Sequence, residues 1–263
     1  DEVAVYPCVG KKNTAATESG IDPMSAGFQF LGAHRDGAYA EKCAVPGTNC
    51  VPKPAGLSWE EAAAVPVNYI TAWHMLVARS DLQPGENVLI QAAGSGVSTA
   101  AIQIARMLGA RIIATSSSPE KLEHARTQGA DEVINYREEN ISERALELTN
   151  GNGCEVVFDH VGAATFDDDM AALATGGRLV VCGTTTGAEA TLDLATLYRR
   201  SQSILGSTLG TRSELRSILT QMEAGRLGRP VIDRVASMEE IADMHRYLES
   251  GAQTGKVVIK VAD

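Results

Sequence analysis

The 263-residue chain is 44% hydrophobic and 21% charged, with 25 glycines, an ordinary composition for a globular protein of one or two domains. Its formal charge of −10 argues against a nucleic-acid surface, which needs Lys and Arg in excess on one face. No apolar run approaches the ~20 residues that a membrane-spanning helix requires, and no secretory signal is visible, so the expectation is a cytoplasmic protein acting on a small molecule, with neither membrane nor nucleic acid as partner. The chain opens on Asp1 rather than Met, which reads as an internal point of a longer protein.

Residues 1–58 are rich in turns, and short segments such as Gly37–Pro46 (GAYAEKCAVP) suggest β-structure without helices. From about Trp59 the pattern changes. Short β-branched runs predict strands at Asn87–Gln91, Arg111–Thr115, Glu132–Tyr136, Glu155–His160, Arg178–Cys182 and Ser203–Ser207. Helical spacings fall between them, the first presenting Val97, Ala101, Ile104, Ala105 and Leu108 on one face. Gly109, Gly129 and Gly151 stand where helix C-caps are expected, and Pro119 opens a helix at a position that needs no N–H. An amphipathic helix near Met238–Leu248 precedes a last strand in TGKVVIKVAD. Strands alternating with helices imply an α/β fold, a doubly wound parallel sheet, with a smaller β-domain built from both chain ends.

Five scattered cysteines (Cys8, Cys43, Cys50, Cys154, Cys182) form no CxxC pair, so reduced thiols are expected rather than a disulfide scaffold or a zinc ribbon. Cys154 and Cys182 lie in apolar strand-like runs and read as small buried hydrophobes.

The stretch VLIQAAGSGVSTAAIQIAR (Val88 to Arg106) carries the chemistry. It reads as a strand (Val88–Gln91), a turn (Ala92–Ser98) and a helix (Thr99–Leu108), the arrangement that brings backbone N–H groups and a helix N-terminus to a dinucleotide pyrophosphate. Only Gly94 and Gly96 of the three-glycine fingerprint are present, but Ala93, Ser95 and Ser98 keep the turn small, and a second strand follows. An NAD site wants a carboxylate at the end of that second strand, roughly 20 residues on. Here stand Ser116, Ser117 and Ser118 with Lys121 close behind, hydroxyls and an ammonium that suit the 2′-phosphate of NADPH. The same serines also read as an N-cap cluster for the helix after Pro119.

The segments AAAVPVNYITAWHML, PGENVLIQAAGSGVSTAAIQIARMLGARIIATSSSPEKL, GADEVINY, VFDHVGAATFDDDMAALATGGRLVVCG and GKVVIKV, in this order, together resemble the medium-chain dehydrogenase/reductase superfamily. The quinone oxidoreductase and zinc-type alcohol dehydrogenase-like branches are the most similar. The resemblance implies a Rossmann domain over residues 67–210 and a GroES-like substrate domain from residues 1–66 and 211–263, with its first part lying ahead of Asp1. It implies a homodimer joined at the edge of the Rossmann sheet.

The resemblance also tests metal chemistry. The four thiolates of the family's structural zinc fall on Lys11, Thr14, Thr17 and Ser25, and one catalytic-zinc ligand falls on Pro66. None can ligate zinc, so no metal site is expected. Without a Lewis acid to hold an alkoxide, hydride transfer from NADPH to a quinone or an α,β-unsaturated carbonyl is the more natural reaction. Two alternatives stand beside it: a zinc-dependent alcohol dehydrogenase with ligands ahead of Asp1, and an NADPH-binding sensor or scaffold without turnover.

By the same resemblance, Thr71 lies beside the cofactor or is a core threonine. Gly94, Ser95, Gly96, Val97 and Ser98 offer donors to the pyrophosphate, with hydroxyls from the serines. Ser116, Ser117, Lys121 and Tyr136 surround the adenosine 2′-phosphate, Tyr136 either stacking on adenine or capping the sheet. His160, Val161 and Gly162, and Gly183 and Thr184, sit at the carboxyl ends of strands, where ligands bind in such sheets. Gly206 and Ser207 finish the nicotinamide pocket or belong to the dimer edge. Asn68 and Tyr69 are the catalytic candidates, for contact with a substrate carbonyl or for packing. His34 reads as a proton donor or as a loop histidine bonded to backbone, His74 as structural, and Asp167–Asp169 as acids that complement a helix dipole.

Overall fold

The computed structural model describes residues 1–10 and 28–262, so Lys11, Thr14, Thr17 and Ser25 lie outside the described residues. The chain divides into two compact units, one of residues 1–71 with 208–263 and the other of residues 72–207.

In the first unit β1 (Val3–Val5) pairs antiparallel with β4 (Cys50–Pro52), and β2 (Cys8–Val9) with β3 (Gln29–Phe30). Helix α1 (Trp59–Ala64) begins with a reciprocal cap between Ser58 and Glu61, and α2 (Asn68–Trp73) carries the chain into the second unit, which opens on a wider turn at His74–Arg79. The expected strand character of Gly37–Pro46 is not present. The backbone folds back where Gly32 N–H donates to the Arg35 carbonyl, and the segment beyond is mostly exposed, with no ladder partner among the described residues.

The second unit holds β5 (Asn87–Ile90), α3 (Gly96–Leu108), β6 (Arg111–Ser116), α4 (Pro119–Gln128), β7 (Glu132–Asn135), α5 (Ile141–Leu148), β8 (Cys154–Asp159), α6 (Phe166–Ala172), β9 (Leu173–Val181), α7 (Leu194–Arg199) and β10 (Ser203–Gly206). The return to the first unit adds α8 (Arg212–Glu223), β11 (Ile232–Ser237), α9 (Ile241–Glu249) and β12 (Lys256–Lys260), the last paired in parallel with β11. Both stretches of this unit are tied together by Tyr6 Oη donating to the Gly210 carbonyl at 2.7 Å and Arg212 Nη1 to the Thr48 carbonyl at 2.6 Å.

Six strands form one parallel sheet in the order β10-β9-β8-β5-β6-β7. The chain therefore starts in the middle, winds outward through β6 and β7, and returns past β5 to β8. That reversal makes β5 and β8 adjacent, the switch point outside which ligands bind in open α/β sheets. One face of the core runs across the strands through Ile134, Ile113, Leu89, Val157 and Leu179, with Ile141 and Ala145 of α5 upon it. Each fully buried Leu, Ile or Val among them stabilises the fold by ~1.5–3 kcal/mol relative to exposure.

Two sequence expectations change here. α3 is buried on more than one face, because every residue from Ser98 to Ala105 is enclosed while Val97 and Leu108 are half-buried. Its polar residues find partners: Gln103 Nε2 donates to Gln128 Oε1 at 2.7 Å, and Thr99 Oγ1 lies 3.1 Å from His124 Nε2. β9 begins five residues before Arg178, since Leu173 pairs with Cys154 ahead of a register shift.

Candidate cofactor site

The turn after β5 is built by a backbone that leaves the ordinary regions of φ. Ala92 has φ 53°, the left-handed conformation that costs a residue with a Cβ ~1–2 kcal/mol. Thr115, at the end of neighbouring β6, holds it there. Ala92 N–H donates to Thr115 Oγ1 at 3.3 Å, and Ala93 N–H donates to the Thr115 carbonyl at 2.8 Å.

Helix α3 starts three residues earlier than the sequence suggests, because Ser95 is its N-cap. Ser95 Oγ accepts the Ser98 N–H at 3.0 Å, and the Ser95 carbonyl accepts the Thr99 N–H at 2.9 Å. Gly96 and Val97 thus occupy the first helical positions, where N–H groups have no carbonyl one turn behind them and point at whatever approaches the helix end. Both residues are half-buried, as is Ser95. Orphan N–H groups together with the positive end of the helix dipole suit a phosphate anion, so these residues fit a dinucleotide pyrophosphate.

Ser98 corrects the expectation that both serines offer hydroxyls outward. Its side chain is fully enclosed, its hydroxyl donates to the Gln91 carbonyl at 2.7 Å, and its N–H is spent on Ser95. His160, just past the end of β8, completes this cluster: its Nε2 lies 2.9 Å from Ser98 Oγ and 3.1 Å from Ser95 Oγ. Because the single Ser98 proton goes to a carbonyl, Ser98 Oγ can only accept from the ring. The network therefore assigns the proton to Nε2. Burial pushes the His160 pKa down, against the pull of the Asp159 charge, which keeps the ring neutral.

The loops at the carboxyl ends of β8 and β9 are laced together. Asp159, almost fully buried, accepts from Val161 N–H and Gly162 N–H, both at 2.9 Å, and from Thr165 Oγ1 at 3.0 Å. The Val161 carbonyl accepts from the N–H and hydroxyl of Thr186, while the Thr184 carbonyl accepts from Gly187 N–H. Gly183 passes so close to β8 that a Cβ there would stand 3.0 Å from the His160 carbonyl.

On the other side of the turn, the Lys121 methylenes lie against Gly94. Ser116 is buried at the end of β6 and its carbonyl accepts the Tyr136 N–H at 3.2 Å, while the half-buried Ser117 follows and the Tyr136 ring is about half exposed. β7 ends one residue before Tyr136, which leaves that residue beyond the sheet. Ser118 occupies the N-cap position of α4 without capping it. Its hydroxyl donates to the Glu120 carboxylate. Gly206 is tied by Arg79 Nε, which donates to its carbonyl at 2.9 Å, and Ser207 N–H donates to the Val181 carbonyl at 2.9 Å.

Tyr69 is 1% exposed and Thr71 is buried as well. Asn68 is half-buried and its Nδ2 donates to the Ala64 carbonyl at 3.3 Å. His34 Nδ1 accepts the Phe30 N–H at 3.2 Å, the backbone-bonded alternative, and His74 is buried. Cys154 is enclosed and its thiol is pushed up to about 12 by burial, as is that of half-buried Cys182. Among the described residues no three His, Cys, Asp or Glu side chains gather as a metal site, and no helix is long and apolar enough to cross a membrane.

Beneath the turn lies a group that corrects the expectation for Asp169, which the sequence offered, with Asp167 and Asp168, as an acid complementing a helix dipole. Gln91 Oε1 accepts the Thr115 hydroxyl at 2.6 Å, and Gln91 Nε2 donates to Asp169 Oδ1 at 2.6 Å. Asp169 is completely buried, and its carboxyl is pushed well above the usual range by burial and by the charge of Asp159. The signal was in the spacing: Asp169 stands three residues after Phe166 and four before Leu173, on the apolar face of α6.

Residues 96–224 match the zinc-binding dehydrogenase family. A quinone oxidoreductase of Pseudomonas aeruginosa is 34% identical over 232 residues, covering 85% of this chain and 71% of that protein. Among solved structures, an NAD-dependent alcohol dehydrogenase superposes with a TM-score of 0.94 at 44% identity, covering all of this chain and 76% of the other. A crotonyl-CoA carboxylase/reductase in complex with NADP superposes with a TM-score of 0.91 at 26% identity, covering 98% and 70%. The parallel sheet, its turn and these likenesses agree: the chain belongs to the medium-chain dehydrogenase/reductase superfamily, as an oxidoreductase of that type.

Proposed function

We propose that this chain is a zinc-independent, NADPH-dependent reductase of quinones or α,β-unsaturated carbonyls. The observation that carries the cofactor choice is the end of β6, where Ser116, Ser117 and Ser118 stand without a carboxylate to take a ribose 2′-hydroxyl, and Lys121 crosses the turn beside them. Glu120, the next carboxylate in the chain, is engaged by the Ser118 hydroxyl. NADPH, when bound, supplies the hydride that a polarised C=C bond or a quinone accepts.

In this reading Gly96 and Val97 hold the pyrophosphate through backbone N–H groups, and Ser95 caps the helix that presents them. Ser116, Ser117 and Lys121 take the 2′-phosphate, with the exposed Tyr136 ring against the adenine. His160, Val161 and Gly162, with Gly183 and Thr184, wall the nicotinamide side, held rigid by Asp159. Asn68 is the remaining donor for a substrate carbonyl. Zinc independence rests on Pro66, which has no ligand atom, and on Lys11, Thr14, Thr17 and Ser25, which are no thiolates.

A second reading, an alcohol dehydrogenase, is favoured by the 44% identity to an NAD-dependent alcohol dehydrogenase. Steady-state kinetics with NADPH and NADH over quinones, enones, aldehydes and alcohols, with metal content measured on the same protein, separates the two. We expect NADPH-driven turnover of a quinone or enone without stoichiometric metal. One tightly held zinc per chain with alcohol turnover overturns the proposal. Cofactor binding without turnover of any of these points instead to a sensor or scaffold.

A further inference from the structure

We propose that Asp169 is a positioning residue for the turn between β5 and α3, acting through the carboxamide of Gln91. The inference rests on the reading that this turn holds the pyrophosphate of a nicotinamide dinucleotide.

Thr115 has one hydroxyl proton and gives it to Gln91 Oε1, so its oxygen is left to accept from Ala92 N–H. That arrangement requires the Gln91 carboxamide to face Thr115 with its oxygen. A carboxamide flipped by half a turn would present an NH2 group to Thr115 and leave the hydroxyl proton without an acceptor. Thr115 and Asp169 together select the first, because the Thr115 proton needs an acceptor and Asp169 Oδ1, as the carbonyl oxygen of its acid group, accepts from Gln91 Nε2 at 2.6 Å. Both side chains are buried, Gln91 at 1% and Asp169 at 0% exposure, so water does not substitute for either partner. Asp169 Oδ2 has no hydrogen-bond partner. Full burial, with Gln91 donating to Oδ1 and the nearby Thr165 hydroxyl also engaged by Asp159, suits the neutral carboxylic acid far better than the anion. The acidic groups acting on it are Asp159 of β8 and its own neighbour Asp168, and both oppose a further negative charge.

Fixing the amide thus fixes Thr115, and Thr115 holds Ala92 in its left-handed conformation ahead of Gly96 and Val97. Loss of the acceptor loosens the turn without touching the reacting atoms. The predicted signature is weaker cofactor binding with little change in kcat, for NADPH and NADH alike, since the pyrophosphate is common to both.

The test compares the full chain with Asp169→Asn, Asp169→Leu and Thr115→Val, measuring NADPH and NADH affinity by fluorescence and KM and kcat by turnover, across neutral to alkaline pH. Asn keeps the accepting oxygen and lacks the ionisable proton. It is expected to bind within about twofold of the parent and to lose less affinity at alkaline pH. Leu and Val are each expected to raise Kd and KM about tenfold for both dinucleotides. If Leu does not fold, Thr115→Val carries the comparison. A folded Leu or Val variant that binds like the parent overturns the inference, and so does an Asn variant as impaired as Leu. Failure of the parent itself to bind either dinucleotide overturns the cofactor reading on which the inference rests.

Discussion

The side chain of Lys121 crosses directly over the Cα of Gly94: a Cβ at position 94 would overlap its Cδ and stand 2.9 Å from its Cγ. A glycine of the proposed cofactor turn and the cation proposed for the 2′-phosphate are therefore one structural unit. Gly94→Ala is expected to displace the lysine stem, which is flexible enough to yield, and so to imitate Lys121→Ala. Each is expected to raise the KM for NADPH about tenfold, the scale of one charge-assisted contact, and to leave that for NADH nearly unchanged. The double variant should lose little more than either single one, because both remove the same interaction. Additive losses in the KM for NADPH would show that the two residues act separately.

Ala92 is a residue with a Cβ in a conformation that glycine adopts freely. Ala92→Gly removes a strain of ~1–2 kcal/mol and gives back part of it, ~0.5–1 kcal/mol, as greater freedom of the unfolded chain. A net gain in stability is expected, read as a higher urea midpoint with an unchanged slope. A lower midpoint would mean that packing of the Ala92 methyl outweighs the strain.

The strand, turn and helix of this site were legible because each carries a local signal. Val88, Leu89 and Ile90 form a β-branched and apolar run, Gly94 marks the turn, and alanines three and four apart mark α3. What escaped depends on the fold. Ser98 looks like Ser95 in sequence, yet one helical turn carries it inward onto the Gln91 carbonyl while Ser95 caps the helix. Asp169 stands third in a run of acids; its spacing from Phe166 and Leu173 hints at an inward face, and the packing of α6 then encloses it while Asp168 stays half-buried and Asp167 exposed. His160 was legible as a strand-end residue. Its contact with the two serines depends on β8 lying next to β5, a non-local pairing that no local pattern encodes.

The buried His160 makes stability depend on pH in a defined direction. Its folded pKa is depressed by burial, so the unfolded chain takes up the proton first on acidification. The contribution of the neutral ring is fully present above the unfolded value of about 6.5 and is lost as the pH falls from there toward the depressed folded value. His124, also lowered by burial, acts in the same sense. His160→Gln keeps a donor for the serines and cannot titrate. The fall in unfolding free energy between neutral and mildly acid pH should therefore shrink without vanishing. An unchanged fall would assign the whole effect to other groups.

The edge strand β10 bears on assembly. It pairs with β9 alone among the described strands, so its outer backbone groups are left to solvent or to another chain. Ile204 on this strand is 39% exposed, and Leu194 and Tyr198 of α7 are 66% and 68% exposed. We expect a second copy to pair along β10 and cover these side chains, with an interface in the range of ~1,200–2,000 Å² of total buried surface. Light scattering on a sizing column should give twice the 27.8 kDa chain mass for the parent, and a single chain mass for Ile204→Lys. The charge would have to be desolvated on both sides of a two-fold contact, which is why one substitution suffices. A parent that runs as a single chain, or a variant that stays dimeric, rules out this edge as the interface.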